Sequence, residues 1–206
     1  SGFYRLNNVT SGKYAVTGKT TEMFSDISYS IFKNEISALK DYKIVAGVGG
    51  NKFNPSSLLT RAEFVQMLVN GLNLKGTSMK YFDDVKSSDW YYNAVSVAKQ
   101  YGLVEGVGGN KFNPNANISR QEIMVILYRA AQSKNIIPNE PTKTYSSVPF
   151  ADESSISSWA RESIDYMRTI GVLDNSGGRF DPLGYPTREE MSYYLYKLLK
   201  VYNMIS

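Results

Sequence analysis

The stretch G-V-G-G-N-K-F-N-P runs from Gly47 to Pro55 and again, unchanged, from Gly106 to Pro114, an offset of 59 residues. Nine identical residues in register are not chance, and a fixed period changes how every local feature is read. A divergent third copy, S-G-G-R-F-D-P, spans Ser176 to Pro182. After each block four residues intervene and a second motif follows: T-R-A-E from Thr60 to Glu63, S-R-Q-E from Ser119 to Glu122, T-R-E-E from Thr187 to Glu190. Before each block lies an F-x-D element, at Phe24/Asp26, Phe82/Asp84 and Phe150/Asp152. The chain is therefore a tandem array of three copies.

Between each F-x-D element and the glycine block lies a short helical pattern. Its apolar positions are Ile31, Ile36, Leu39 and Tyr42 in copy one, Trp90, Ala94, Val95, Ala98 and Tyr101 in copy two, and Trp159, Ile164, Met167 and Ile170 in copy three. Gly102 and Gly171 stand where a left-handed residue ends a helix, and copy one has Lys43 there. A second helix starts at each T/S-R-x-E motif, which is a capping box: the hydroxyl at Ncap accepts from the N3 amide, and the N3 glutamate reaches back. Apolar residues then recur helically, as in Ala62, Val65, Leu68, Val69 and Leu72, in Ile123, Ile126, Leu127 and Ala130, and in Tyr194, Leu195, Leu198 and Leu199.

A helix, a glycine loop and a second helix make a unit of about 50 residues, too small to bury a core alone. The expected fold is all-α, with three helix-loop-helix units packing their second helices together and closing into a pseudo-threefold arrangement rather than a solenoid. Residues 23–74, 80–132 and 150–203 are the three expected units. Residues 1–22, with Tyr4, Leu6, Tyr14 and Val16 among small polar residues, read as strand-like pieces of a preceding β-rich region or as linker. Residues 133–149, with Pro138, Pro141 and Pro149, read as an exposed linker.

Among 206 residues there is no histidine and no cysteine. That removes thiolate nucleophiles, disulfides, Cys/His zinc sites and imidazole bases. Carboxylate chemistry remains open to the 19 acidic residues, as a glycosidase pair or a magnesium or calcium site. The net charge of +4 mildly favours an anionic partner but lacks the basic cluster that nucleic acid requires. No phosphate-loop motif is present. No stretch reaches the roughly 18 apolar residues of a membrane span, and a start at Ser1 without a signal-type leader points to a mature or excised piece.

The ordered set of F-x-D element, Trp-led helix, Gly-Gly-x-F-x-P turn and T-R-A-E helix start, in triplicate over about residues 23–203, resembles the S-layer homology domain of bacterial cell-surface proteins. The resemblance implies a pseudo-trimer with a central three-helix bundle, peripheral helices and ligand grooves between neighbouring modules. It further implies non-covalent anchoring of an exported protein to a secondary cell-wall polysaccharide, usually one whose N-acetylmannosamine carries a pyruvate ketal, with no catalysis. Its main binding residue is the arginine of T-R-A-E, which maps to Arg61, Arg120 and Arg188.

Physical chemistry adds its own reason. An arginine at N1 stands beside the positive end of the helix dipole, and its planar fork matches a carboxylate bidentately. The bland alternative is an arginine that only covers a neighbouring helix. The pairs Gly49/Gly50, Gly108/Gly109 and Gly177/Gly178 permit close approach of backbone to a sugar, or simply serve turn geometry. Trp90 and Trp159 offer an apolar face to a sugar ring, or fill the core. The F-x-D aspartates are expected to cap or turn the chain.

No cofactor, metal or catalytic group is expected, and the fragment is expected to be monomeric. The alternatives are a surface protein-interaction scaffold, favoured by 16 tyrosines, and a carboxylate-dependent polysaccharide hydrolase. Copy one has Ile31 in place of tryptophan, and copy three loses one residue between Gly-Gly and Phe. Unequal grooves are therefore expected, with one or two competent among three.

Overall fold

The computed structural model describes residues 23–205 apart from Lys134, Pro138, Ser147 and Asn175. The strand-like reading of residues 1–22 lies outside the described residues. Six α-helices follow in order: α1 (Lys33–Asp41), α2 (Arg61–Gly71), α3 (Tyr92–Gln100), α4 (Arg120–Gln132), α5 (Arg161–Thr169) and α6 (Arg188–Val201). Two short 3-10 turns, Glu153–Ser155 and Ser158–Ala160, lead into α5. Among the described residues the only β pairing is three isolated bridges, so the fold is all-α.

Local chemistry builds each copy in the same way. The phenylalanine of F-x-D packs on that of the glycine block, with ring centroids 5.3 Å apart for Phe24/Phe53, 5.4 Å for Phe82/Phe112 and 5.1 Å for Phe150/Phe180. Two residues on, the aspartate accepts two successive backbone N–H groups of that block: Asp26 from Phe53 and Asn54, Asp84 from Phe112 and Asn113, Asp152 from Phe180 and Asp181, all within 2.8–2.9 Å. The expected turn role of these aspartates is thus met by a tie between segments 27–29 residues apart in sequence. α1, α3 and α5 each end on a left-handed residue, Lys43 (φ 59°), Gly102 (φ 69°) and Gly171 (φ 76°). The following N–H bonds back to Leu39, Ala98 and Met167, as in a Schellman cap.

Packing is handed on between units rather than closed within them. α2 lies against α3, α4 against α5, and α6 against α1. The second helix of each copy thus packs on the first helix of the next, and the last copy returns to the first. α2 and α6 also touch directly. Backbone hydrogen bonds repeat the cycle. Arg61 and Ala62 N–H donate to Ala116 and Pro114, Arg120 and Gln121 to Gly184 and Pro182, Arg188 and Glu189 to Ser57 and Pro55. Free amides at the N-termini of α2, α4 and α6, which would otherwise lack partners, are satisfied by the next unit's loop.

One apolar cluster runs through all three copies, and every helical apolar position named above for α2, α4 and α6 is buried except Tyr194, which is half-buried. The segment 133–149 is mostly exposed, as expected of a linker, but it is tied down at points. Ile136 and Ile137 are buried, Thr142 N–H bonds to Val201, and Tyr145 N–H to Thr169, pinning part of it over the ends of α5 and α6.

Candidate functional site

Each capping box does a second job. Glu63 Oε2 accepts the Thr60 N–H at 2.9 Å, while Oε1 accepts from Arg188 of the third copy at 3.1 Å. Glu122 likewise caps Ser119 and binds Arg61 at 2.9 Å, and Glu190 caps Thr187 and binds Arg120 at 2.9 and 3.0 Å. The ion pairs run around the same cycle as the helices. Sequence reading assigned these glutamates to capping alone, because a pairing across copies has no local signature.

The arginines are largely buried. Arg61 and Arg188 are each 6% exposed. Arg61 Nε donates to the Phe112 carbonyl at 2.9 Å and Nη2 to Glu105 O at 3.4 Å, with the guanidinium 4.9 Å from the Phe112 ring centroid. Arg188 repeats this with Phe53 O at 3.0 Å, Ala46 O at 3.2 Å and the Phe53 ring at 4.8 Å. Of five guanidinium N–H groups, these bonds and the glutamate pair engage three in each arginine. Burial lowers the pKa of both, against the opposing pull of Glu122 on Arg61 and Glu63 on Arg188. Arg120 shifts the other way. Burial lowers its pKa too, but the hydrogen bond and charge of Glu190 outweigh that, so it sits raised.

Three cavities open over these arginines, one for each. The cavity at Arg188, about 420 Å³, is walled by Ala46 to Val48, Glu63, Gln66 and Trp90. The cavity at Arg61, about 270 Å³, is walled by Glu105 to Val107, Glu122, Arg129 and Trp159. The cavity at Arg120, about 260 Å³, is walled by Asp174, Asp181, Glu190, Tyr193 and Phe32. Every copy contributes to each cavity: an arginine from one, a loop and glutamate from the next, an aromatic from the remaining one.

Trp90 and Trp159 are 62% and 57% exposed, so neither fills the core. The structure brings each together with an arginine of another copy. The third cavity has no tryptophan, as the Ile31 departure implied. Its aromatic wall is Phe32 stacked on Tyr193 at 4.7 Å.

Gly49, Gly50, Gly108, Gly109, Gly177 and Gly178 line none of these three cavities. The first five have positive φ, from 54° at Gly50 and Gly109 to 111° at Gly49, and they form the tips of the turns. Gly178 differs in conformation: its φ is not positive, unlike that of Gly50 and Gly109 at the second place of the other pairs. The reason is the residue lost between Gly-Gly and Phe in copy three, which shifts the turn. Gly178 there serves the loop, its carbonyl accepting the Ala151 N–H at 3.0 Å.

Close packing against the chain's own backbone is found at Gly47 and Gly106. A Cβ there would meet the carbonyl of Lys52 or Lys111 at 2.7 Å and the ring of Phe24 or Phe82 at 2.9 or 3.0 Å. Both line a cavity, and the signal for them was their identity in both copies of the nine-residue block. Gln66, Asn70 and Arg129, one to three turns into α2 and α4, also face the cavities and were not singled out, because polar residues on a helix face resemble a solvated surface.

A groove with a buried cation, a paired carboxylate and an exposed indole suits a ligand that carries both an anionic group and an apolar ring face. Among the described residues no group of acidic side chains is arranged to hold a metal ion, and no helix is long and apolar enough to cross a membrane.

Comparison with known proteins bears on the same residues. The sequence model of the S-layer homology domain matches residues 24–65 and 81–124. The chain is 33% identical over 205 residues to the exoglucanase XynX of Acetivibrio thermocellus, covering 98% of this chain and 18% of that one. It is 33% identical over 202 residues to an amylopullulanase of Thermoanaerobacterium thermosulfurigenes, covering 97% and 11%. To the surface-layer 125 kDa protein of Lysinibacillus sphaericus it is 30% identical over 144 residues, covering 70% and 12%. The chain thus spans less than a fifth of the length of these relatives. What the surface-layer protein, the exoglucanase and the amylopullulanase share with it is this segment.

Proposed function

The chain belongs to the S-layer homology family, a cell-surface family of cell-wall anchoring modules, and from that premise we propose that its grooves bind an anionic secondary cell-wall glycan of the pyruvylated N-acetylmannosamine type. The observation that carries the reading is the threefold recurrence of one groove, each with an N1 arginine, a neighbouring glutamate and an aromatic wall drawn from different copies. Residues 150–203 act in it as a third module, with the same F-x-D tie, capping box and N1 arginine, Arg188, as the two matched segments.

Two N–H groups left on Arg61 and on Arg188 offer a pyruvyl carboxylate a bidentate contact. Trp159 and Trp90 supply a face for the sugar ring or its acetamido methyl. Arg129 adds a second cation to the Arg61 groove, whereas the Arg188 groove presents the amides of Gln66 and Asn70. The segment works as an anchor and not as a catalyst. Its triplicated carboxylates are committed to caps, loop ties and ion pairs, so catalysis in the enzyme relatives belongs to the remainder of those chains.

Calorimetric titration with the pyruvylated monosaccharide, beside the same sugar without its ketal, tests this. Binding of the ketal form alone is expected, with quenching of Trp90 and Trp159 fluorescence. Equal binding of both sugars removes the carboxylate from the reading, and binding of neither moves the function to a longer glycan or a protein partner.

A further inference from the structure

The third groove departs from the other two at one position with a clear chemical consequence. The residue after the block's phenylalanine is Asn54 in copy one, Asn113 in copy two and Asp181 in copy three. All three hold the same left-handed backbone, with φ of 59°, 59° and 55°. Only the third carries a charge, and its Oδ2 accepts from Arg120 Nη1 at 3.1 Å. Arg120 therefore has two carboxylates, Asp181 on one terminal nitrogen and Glu190 on the other. Arg61 and Arg188 each have one.

A second residue has changed in step. Position 184, which is Ser57 in copy one and Ala116 in copy two, is Gly184 here. Its φ is not positive, so the backbone does not demand glycine. The missing Cβ has a different effect: placed there, it would collide with the Asp181 carboxylate and lie 2.6 Å from Arg120 Nη1. Glycine at 184 clears the space in which the Asp181–Arg120 pair forms. The charged lining of this groove, Arg120 and Arg179 against Asp174, Asp181 and Glu190, has one more negative than positive group. The other two are balanced, Arg188 against Glu63 and Arg61 with Arg129 against Glu105 and Glu122.

We propose that Asp181 is a built-in anion that occupies Arg120 and closes the third groove to anionic ligands, leaving the Arg61 and Arg188 grooves to bind them. This deepens the reading of those two grooves as anion sites and rests on it. The carboxylate of Asp181 fills the part that a ligand carboxylate would play, and a ligand anion entering there meets two fixed negative charges within hydrogen-bonding reach of one guanidinium. What remains in the third groove is an aromatic surface, Phe32 on Tyr193, suited to a neutral ring.

The test compares the full chain with Asp181→Asn and with Gly184→Ala. Asparagine already sits in this backbone at 54 and 113, and a Cβ is already carried at 57 and 116, so both variants are expected to fold with unchanged far-ultraviolet circular dichroism. Inorganic sulfate is the first probe, read at the Arg120 Nε–H resonance in 15N NMR. Asp181→Asn is expected to show a saturable shift with affinity at least about tenfold above the parent chain, and Gly184→Ala a shift in the same direction. With the pyruvylated monosaccharide the calorimetric stoichiometry is expected to rise from two to three.

Sulfate shifting Arg120 equally in parent and Asp181→Asn overturns the proposal, as does no shift in either variant. Should the sugar bind nowhere, the glycan reading fails while the sulfate comparison still decides the role of Asp181.

Discussion

Arg61 and Arg188 are staples before they are ligand contacts. Each fastens an N1 position to two backbone carbonyls and one carboxylate of another copy. Truncation leaves the buried Phe53 carbonyl without this donor and removes the cation that half-buried Glu63 faces, so Arg188→Ala is expected to lower unfolding free energy by about 1–3 kcal/mol in urea. Arg188→Lys recovers less than half of that, because an ammonium cannot span the same three acceptors. Loss of binding in such variants counts against the groove only when measured on the folded fraction.

The aspartate ties give a pH signature. For Asp152, burial raises the carboxyl pKa but the Phe180 and Asp181 N–H groups outweigh it, and the net position is below the ordinary value; Asp26 behaves alike with Phe53 and Asn54. A depressed folded-state pKa means the contribution is fully present above the unfolded value, about 3.9, and is lost as pH falls through the folded one. Stability is thus expected to drop steeply below about pH 4. Asp152→Asn, which keeps one acceptor oxygen but turns its NH2 toward one of the two N–H donors, is expected to be about 1–2 kcal/mol less stable at pH 7 and to lose less on acidification. Thermal melts at pH 7 and pH 3 check both.

At the scale of elements, the caps were legible because their chemistry is local. The capping boxes at Thr60, Ser119 and Thr187 are all formed, as the spacing predicts. Lys43 shows tertiary demand overriding preference, since it takes the left-handed conformation that Gly102 and Gly171 adopt freely. A non-glycine residue pays roughly 1–2 kcal/mol there, partly offset by the greater freedom of glycine in the unfolded chain. Lys43→Gly is expected to stabilise the protein by about 0.5–1 kcal/mol, read as a higher urea midpoint at unchanged slope. The second use of the capping glutamates was not legible. Nothing near Glu63 in sequence announces Arg188, 125 residues away.

For the whole molecule, the consequence of handing each helix to the next copy is mutual dependence. No copy contains the partner of its own second helix. A chain ending after residue 149 would leave the apolar faces of α1 and α4 without α6 and α5. It is expected to be molten or self-associating, with melting spread over a broad range, as judged by circular dichroism and sedimentation. The full chain should instead unfold in one transition, with Trp90 and Trp159 fluorescence coincident with far-ultraviolet circular dichroism.

By itself the sequence determined the three units, the start of each second helix and the residue types available to a site, because repeats, capping boxes and apolar periodicity act over a few residues and do not depend on what packs against them. It also determined which chemistry is absent, since no fold supplies a histidine or a cysteine that the chain lacks. Tertiary structure alone decided that Trp90 faces Arg188 and Trp159 faces Arg61 across copy boundaries. It alone showed that Gly47 and Gly106 pack against carbonyls of their own loops, and that Asp181 lies on Arg120. Those relations depend on how three small units close on one another, and the free energy that fixes them is spread over contacts between segments far apart in the chain.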